Sequence, residues 1–257
     1  MKRFQAVLLA VLLVLAASPQ APALAQEARE YESGDYQYTL NADGTAVVTG
    51  YTGLGGVAQV PGTLDGHPVT AIGSNAFYGC DGLASITLPD GLQSIGASAF
   101  EACGSLASIT LPEGLREIGD DAFWNCTDLT SLTLPKGLRS IGNGAFFGCC
   151  DLASITLPDG LLSIGNNAFN LCESLASLTL PEGLLSIGGG AFYECGSLAA
   201  LTLPESLTFI GEEAIQKFDF DEDDLDLTVT EGSYAETWVK ENGFTYGYPD
   251  APGRPNN

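Results

Sequence analysis

The stretch LPDGLQSIGASAFEACGSLASIT fills residues 88–110, and it is followed by LPEGLREIGDDAFWNCTDLTSLT and LPKGLRSIGNGAFFGCCDLASIT. The pattern returns every 23 residues. Leu-Pro pairs begin at Leu88, Leu111, Leu134, Leu157, Leu180 and Leu203, and Ile-Gly pairs at Ile72, Ile95, Ile118, Ile141, Ile164, Ile187 and Ile210. Ala-Phe pairs begin at Ala76, Ala99, Ala122, Ala145, Ala168 and Ala191, then soften to Ala214-Ile215. A unit this short cannot enclose an apolar core alone. Its apolar face is covered only when the next unit stacks on it, so that Leu83 meets Leu106, Ile86 meets Ile109 and Phe77 meets Phe100.

Periods of about 20 to 29 residues with Leu at fixed offsets mark leucine-rich solenoids. The expected fold is a leucine-rich repeat solenoid, a right-handed coil of 23-residue units. Short parallel strands form one face, and short helical turns or loops form the other. Leu106, Ile109 and Leu111 point inward from a strand, and the residues between them point out. Pro112 ends that strand, because Pro cannot donate to the ladder. Gly96 suits a turn with unusual dihedrals. The segment from Ser98 to Cys103 has room for one helical turn, with Ser98 a candidate cap.

The ends of the repeat array depart from the pattern. YQYTLNADGTAVVTGY, from Tyr36 to Tyr51, reads as a hairpin around Asn41-Ala42-Asp43-Gly44. VPGTLDGHPVTAIG, from Val60 to Gly73, is a stretched first repeat. EGSYAETWVKENG, from Glu231 to Gly243, reads as a helix with Ser233 as N-cap, Glu236 three residues on and Gly243 as its stop. FTYGY, from Phe244 to Tyr248, is a candidate last strand. The expected division is a signal peptide over 1–25, an N-terminal cap and atypical repeat over 26–71, repeats over 72–211, a C-terminal cap over 212–248 and a disordered tail over 249–257.

The leader is read from Lys2 and Arg3, an apolar run from Ala6 to Ala17, and the small-x-small site Ala23-Leu24-Ala25. The run is short for a bilayer span, so the mature chain is expected to be secreted, with no membrane insertion after cleavage. Acids number 32 against 9 Lys and Arg, a net charge of −23. Such a surface repels nucleic acid and anionic lipid and could attract cations or basic protein surfaces. With 45% of its residues hydrophobic, the chain can nonetheless bury a core.

The LPxGLxxIGxxAFxxCxxLxxIT units, the LNADGTAVVTGY and DGHPVTAIGSNAF segments before them and the EGSYAETWVKENG segment after them resemble the BspA-like leucine-rich repeat proteins of bacteria, a treponemal type included. The resemblance runs from about Tyr36 to Tyr248. It implies a secreted or surface-displayed protein of the kind often associated with adhesion or host-protein binding, and it fixes fold far better than ligand.

Six cysteines share one repeat position, Cys80, Cys103, Cys126, Cys149, Cys172 and Cys195, with Cys150 off the column. Coils about 4.8 Å apart lie within disulfide reach, so three disulfide rungs are one reading. A column of buried thiols is the other, favoured because side chains stacked in parallel suit the S–S torsion badly. No CxxC pair or nearby His suggests a metal site.

Differences between units mark candidate binding residues. The position after Phe reads Tyr78, Glu101, Trp124, Phe147, Asn170, Tyr193, so Tyr78, Trp124, Phe147 and Tyr193 could form an exposed aromatic stripe, or could instead close the core edge. Arg116 and Arg139, with Lys136 close by, form a basic cluster continued by Leu162 and Leu185, although Lys136 could simply relieve stacked acids. The Ser and Thr of each strand form a flat ladder that suits either an exposed sheet or a repetitive ligand. The acidic run Asp219 to Asp226 starts like a calcium loop, but its sixth position is Asp224 and its twelfth Thr230, which favours a solvated face. His67 is the only histidine, and Asp120-Asp121 and Glu212-Glu213 fall in turns, so no catalytic set, metal or cofactor is expected. The expected function is non-catalytic, adhesin-like recognition of a host or bacterial surface protein or glycan by a monomer. A self-associating component of the cell envelope or matrix is the alternative.

Overall fold

A computed structural model describes residues 29–216 and 225–249. The leader (1–25), the acidic run over 219–224 and all but the first residue of the expected tail (249–257) lie outside them. Among the described residues the chain is a solenoid whose coils pair in register at the repeat spacing, with Ser85 beside Ser108, Ile86 beside Ile109 and Thr87 beside Thr110. The same register joins Ser131–Thr133 to Ser154–Thr156. Strands alternate as expected, Ile109 buried between exposed Ser108 and Thr110.

Each coil carries a second ladder that the alternation rule does not reveal. Two-residue strands at Ser94–Ile95, Glu117–Ile118, Ser140–Ile141, Ser163–Ile164, Ser186–Ile187 and Phe209–Ile210 pair in parallel, one per coil. This ladder is continuous from the N-terminal hairpin to Phe209–Ile210. The glycine after each Ile works by close approach rather than by unusual dihedrals. Its φ is not positive, but a Cβ on Gly119 would lie 2.7 Å from the Ala97 nitrogen and 2.8 Å from the Gly96 carbonyl carbon. Only hydrogen fits between these two coils.

The third side of each coil consists of turns, and the possible helical turn at Ser98 is absent. Ser98 has φ +53° and Ala102 φ +58°, so neither is helical. The amides alternate in direction. Phe100 N donates to Ala122 O and Ala102 N to Trp124 O in the next coil, while Glu101 N and Cys103 N turn back to Ser98 O and Phe100 O. A left-handed residue costs about 1 kcal/mol or more away from glycine. Here it lets alternate amides bridge coils, so that neither set of buried N–H groups is orphaned.

The core lies between these three sides. Phe77, Phe100, Phe123, Phe146, Phe169 and Phe192 form one stack, with ring centroids from 5.0 to 5.6 Å apart. Tyr51 and Tyr36 extend it into the N-terminal cap, and Ile215 takes the next place beside Phe192. None of the seven cysteines is joined in a disulfide, the arrangement that the buried-thiol reading of the column expects. Cys103, Cys126, Cys149, Cys172 and Cys195 are buried, and each thiol donates to the Phe carbonyl of the preceding coil at 3.0–3.2 Å. Burial pushes the Cys103 and Cys149 thiols up to about 12 and holds those of Cys126 and Cys172 well above their ordinary value, so these sulfurs pack as small apolar groups.

Both ends are covered differently from the middle. At the N-terminal end, Tyr36–Leu40 and Ala46–Tyr51 form the expected antiparallel hairpin, and Tyr31–Ser33 adds a strand outside it. At the C-terminal end, Asp226–Thr228 and Tyr246–Gly247 continue the Ser-Ile-Thr ladder beyond Ala200–Thr202. Between them the helix Tyr234–Glu241 starts at Ser233, whose side chain accepts from Glu236 N. Glu236 in turn accepts from Gly232 N at 2.8 Å, Lys240 Nζ at 2.6 Å and the Tyr248 hydroxyl. Those three donors hold its carboxyl at about 2, below the usual range.

Candidate binding site

The side chain after each Phe leaves the core, because Phe faces in and its neighbour must face the turn surface. Tyr78 is exposed, while Trp124, Phe147 and Tyr193 are half-buried. Trp124 and Phe147 stack with ring centroids 3.8 Å apart and planes 10° apart. Gly144 makes room for this pair, since a Cβ there would lie 3.0 Å from the Trp124 ring and 2.2 Å from an Asp121 carboxylate oxygen. The two rings thus form a shelf spanning two coils. Tyr78 and Tyr193 do not join it, because Glu101 separates Tyr78 from Trp124 and Asn170 separates Phe147 from Tyr193 along the same column.

The shelf has an acidic border. Burial, followed by the charges of Glu101 and Asp120, raises the Asp121 carboxyl above its ordinary value. A partner meeting Trp124 and Phe147 must therefore be neutral or basic at that edge.

Arg116 and Arg139 take equivalent places on adjacent coils, both exposed. Each guanidinium is turned toward backbone. Arg116 Nη1 donates to the carbonyls of Glu113 at 3.0 Å and Leu115 at 3.2 Å, and Arg139 Nη1 to that of Gly160 at 3.1 Å. They lie over the glycines of the following coils, so that a Cβ on Gly137 or Gly160 would fall within 2 Å of them. Leu162 and Leu185 continue the column, 43% and 44% exposed. The structure does not bring this patch to the aromatic shelf through any hydrogen bond or ring contact among the described residues.

Hollows on the surface of the described residues include the following pair. One, of about 560 Å³, runs along the second ladder past Ser94, Glu117, Ser140 and the close-packed glycines. The other, of about 440 Å³, is polar and opens over Gly189 and Gly190, with Asn166, Asn167, Asn170, Tyr193, Glu212 and Glu213 around it. Of its lining, sequence reasoning singled out Tyr193 as a binding residue and weighed Glu212-Glu213 only as an acid pair. The signal was present: Asp120, Asn143 and Asn166 repeat in one column and Asp121 and Asn167 in the next, and both columns lapse together at Gly189-Gly190. The first of these columns is a side-chain ladder. Asp120 Oδ1 accepts from Asn143 N at 2.7 Å, Asn143 Oδ1 from Asn166 N at 2.9 Å and Asn166 Oδ1 from Gly189 N at 2.8 Å.

No grouping of three or more His, Cys, Asp or Glu able to hold a metal occurs among the described residues. His67 Nδ1 lies 2.9 Å from the Gly44 carbonyl, tying the stretched repeat to the hairpin turn. No described helix is long and apolar enough to cross a membrane.

Residues 66–161 and 140–230 match the family described as BspA type Leucine rich repeat region, in six copies. Among solved structures, a Treponema pallidum leucine-rich repeat protein is 26% identical with a TM-score of 0.52, covering 85% of this chain and 98% of its own. A leucine-rich repeat protein of Bacteroides ovatus has the same TM-score at 23% identity, covering 85% of this chain and 67% of its own. A leucine-rich cell surface protein of Faecalibacterium prausnitzii is 24% identical with a TM-score of 0.47, over 81% of this chain and 79% of its own. No curated protein matches the chain.

Proposed function

The chain belongs to the BspA-type leucine-rich repeat family, and from that premise we propose that it is an exported, non-catalytic binding protein of the bacterial surface that holds a macromolecular partner in an adhesin-like role. The observation that carries this reading is the Trp124–Phe147 shelf. Large rings normally go inside, and here two of them pack on each other at the surface over a glycine that gives them space. Half-buried aromatics are pre-ordered, so a partner covering them loses little side-chain entropy on binding. The acidic border selects against anionic partners. The leader read over residues 1–25 supports export.

The test is binding of the purified protein to immobilised extracellular-matrix proteins, mucin and bacterial cell-wall preparations at physiological salt. Saturable binding to one class is expected. Trp124→Ala with Phe147→Ala should weaken it by about tenfold, near 1.4 kcal/mol, the scale of a modest hot spot. Binding that ignores the double substitution would remove the shelf from the account. Binding through aromatic contact should also persist as salt rises, whereas contact through Arg116 and Arg139 should fade.

A further inference from the structure

We infer that the hollow over Gly189 and Gly190 is a subsite for a neutral saccharide, an inference that rests on the binding role proposed above. The hollow is built by omission. The coil before it places Asn166 and Asn167 where this coil has hydrogen, and the coil after it places Glu212 and Glu213 there. What remains is an open notch of about 440 Å³, in the size range of small-ligand sites, roughly 300–1,000 Å³.

Its walls carry complementary chemistry. Asn166 Oδ1 is engaged by Gly189 N at 2.8 Å, and Asn167 Oδ1 by Asn170 Nδ2 at 3.1 Å. Both amides therefore offer Nδ2 hydrogens as donors on one wall. Glu212 and Glu213, exposed on the opposite wall, offer only acceptor oxygens. A hydroxyl both donates and accepts, and a pyranose carries several on adjacent carbons. It can bridge such walls, whereas a ligand with donors alone or acceptors alone satisfies only one. Tyr193 supplies an aromatic surface at the edge for the apolar C–H face of the ring.

Charge sets the class. No Lys or Arg lines the notch, and two carboxylates do. Sialic and uronic acids, phosphates and sulfates are repelled. The direction of a longer chain follows from the column itself. Phe147, Asn170 and Tyr193 occupy successive coils, so the notch lies two coil steps, roughly 10 Å, from the aromatic shelf. An oligosaccharide lying along the solenoid axis would cross both.

The experiment is calorimetric titration of the purified protein with mannotetraose, cellotetraose and chitotetraose, with sialyllactose and tetragalacturonate as acidic comparators. The diagnostic variant is Gly190→Asn. Gly190 has φ +62°, and Asn167 already occupies the equivalent place at φ +54°, so the substitution restores what the repeat holds one coil earlier. The Cβ would meet only the end of the Asn167 side chain, at 2.4 Å, which can swing away. Saturable binding of at least one neutral probe is expected, weakened about tenfold or more in Gly190→Asn and in Tyr193→Ala. The thermal midpoint of Gly190→Asn should stay at the parent value, which separates a filled site from a misfolded one. Absence of binding by every neutral probe, equal binding of the acidic comparators, or full binding by Gly190→Asn would overturn the inference. If the Trp124 and Phe147 double variant loses a macromolecular partner while no neutral probe binds, the subsite fails and the binding role stands. If neither the macromolecules nor the probes bind, both fail.

Discussion

Phe123 and Trp124 are consecutive residues with opposite lives. The Phe123 ring is fully buried between two identical rings, at 5.2 and 5.4 Å from Phe100 and Phe146. Trp124 stands one residue on, half-buried, above a turn. The inner column is Phe in every coil from Phe77 to Phe192, whereas the outer one runs through Tyr, Glu, Trp, Phe, Asn and Tyr. A stacked aromatic core permits little variation away from its ends, because each ring is the wall of its neighbours' sites. The outer column is half-buried at most, so its residues can differ from coil to coil. The binding role proposed above therefore places recognition in that second column, where changing a residue does not unseat the fold.

The sharpest way to break this comparison is to truncate both residues. Phe123→Ala should cost about 3–5 kcal/mol in chemical denaturation, and Trp124→Ala about 1 kcal/mol, since much of its ring never leaves water. Similar losses at the two positions would mean that the outer column is core. An effect between these two is expected at Gly119. Gly119→Ala should cost about 1–3 kcal/mol, because its methyl group meets the backbone of the preceding coil, not a side chain that can move. A neutral result there would show that the coils can slide apart. On binding, the paired loss of Trp124 and Phe147 should be about tenfold with the thermal midpoint nearly kept.

The smallest effect should come from acid at the C-terminal cap. The Glu236 carboxyl lies at about 2 when folded, below its ordinary 4.5. The depressed value means that its contribution is present above pH 4.5 and is lost as pH falls toward 2. Amide exchange in the helix Tyr234–Glu241 should therefore quicken over that window, while the Phe stack, which holds no titrating group, stays protected. Glu236→Gln should flatten this response. Loosening of stack and helix together would mean that the cap and the repeats open as one unit.

The inner columns were legible in the sequence because stacking fixes their period, and the helix was legible because Ser233 and Glu236 stand three apart and Gly243 closes the segment. The second ladder was not. Two residues such as Ser94–Ile95 are too few to show alternation, and their pairing is dictated by the coil. The role of Gly96 was misread for a related reason, since a close approach to Gly73 and Ser74 in another coil leaves no trace in local dihedral preference. Ser98 looked like a cap, but its amide goes to Asp120 O in the next coil and its φ is left-handed. Of the candidate site, the Trp124–Phe147 pair follows directly from the period. The broken stripe was also readable, since Glu101 and Asn170 sit between the rings, yet what decides the shelf is the missing side chain at Gly144. The notch at Gly189-Gly190 is likewise defined by absence, and is found only by asking which columns lapse.

Because Ile86 pairs with Ile109 just as Ile118 pairs with Ile141, one coil offers its successor nearly the same socket everywhere in the array. Nothing in such a socket records how many coils precede it. Excising residues 88–110 would join Thr87 to Leu111, a junction the chain already uses between Thr110 and Leu111. The shortened protein should fold, with Trp124 carried one step, about 4.8 Å, nearer the N-terminal hairpin. Length is thus a dial that can be turned without rewriting the architecture: adding or removing a turn resets the spacing between the shelf, the notch and the caps, and so the span of any partner that must reach more than one of them.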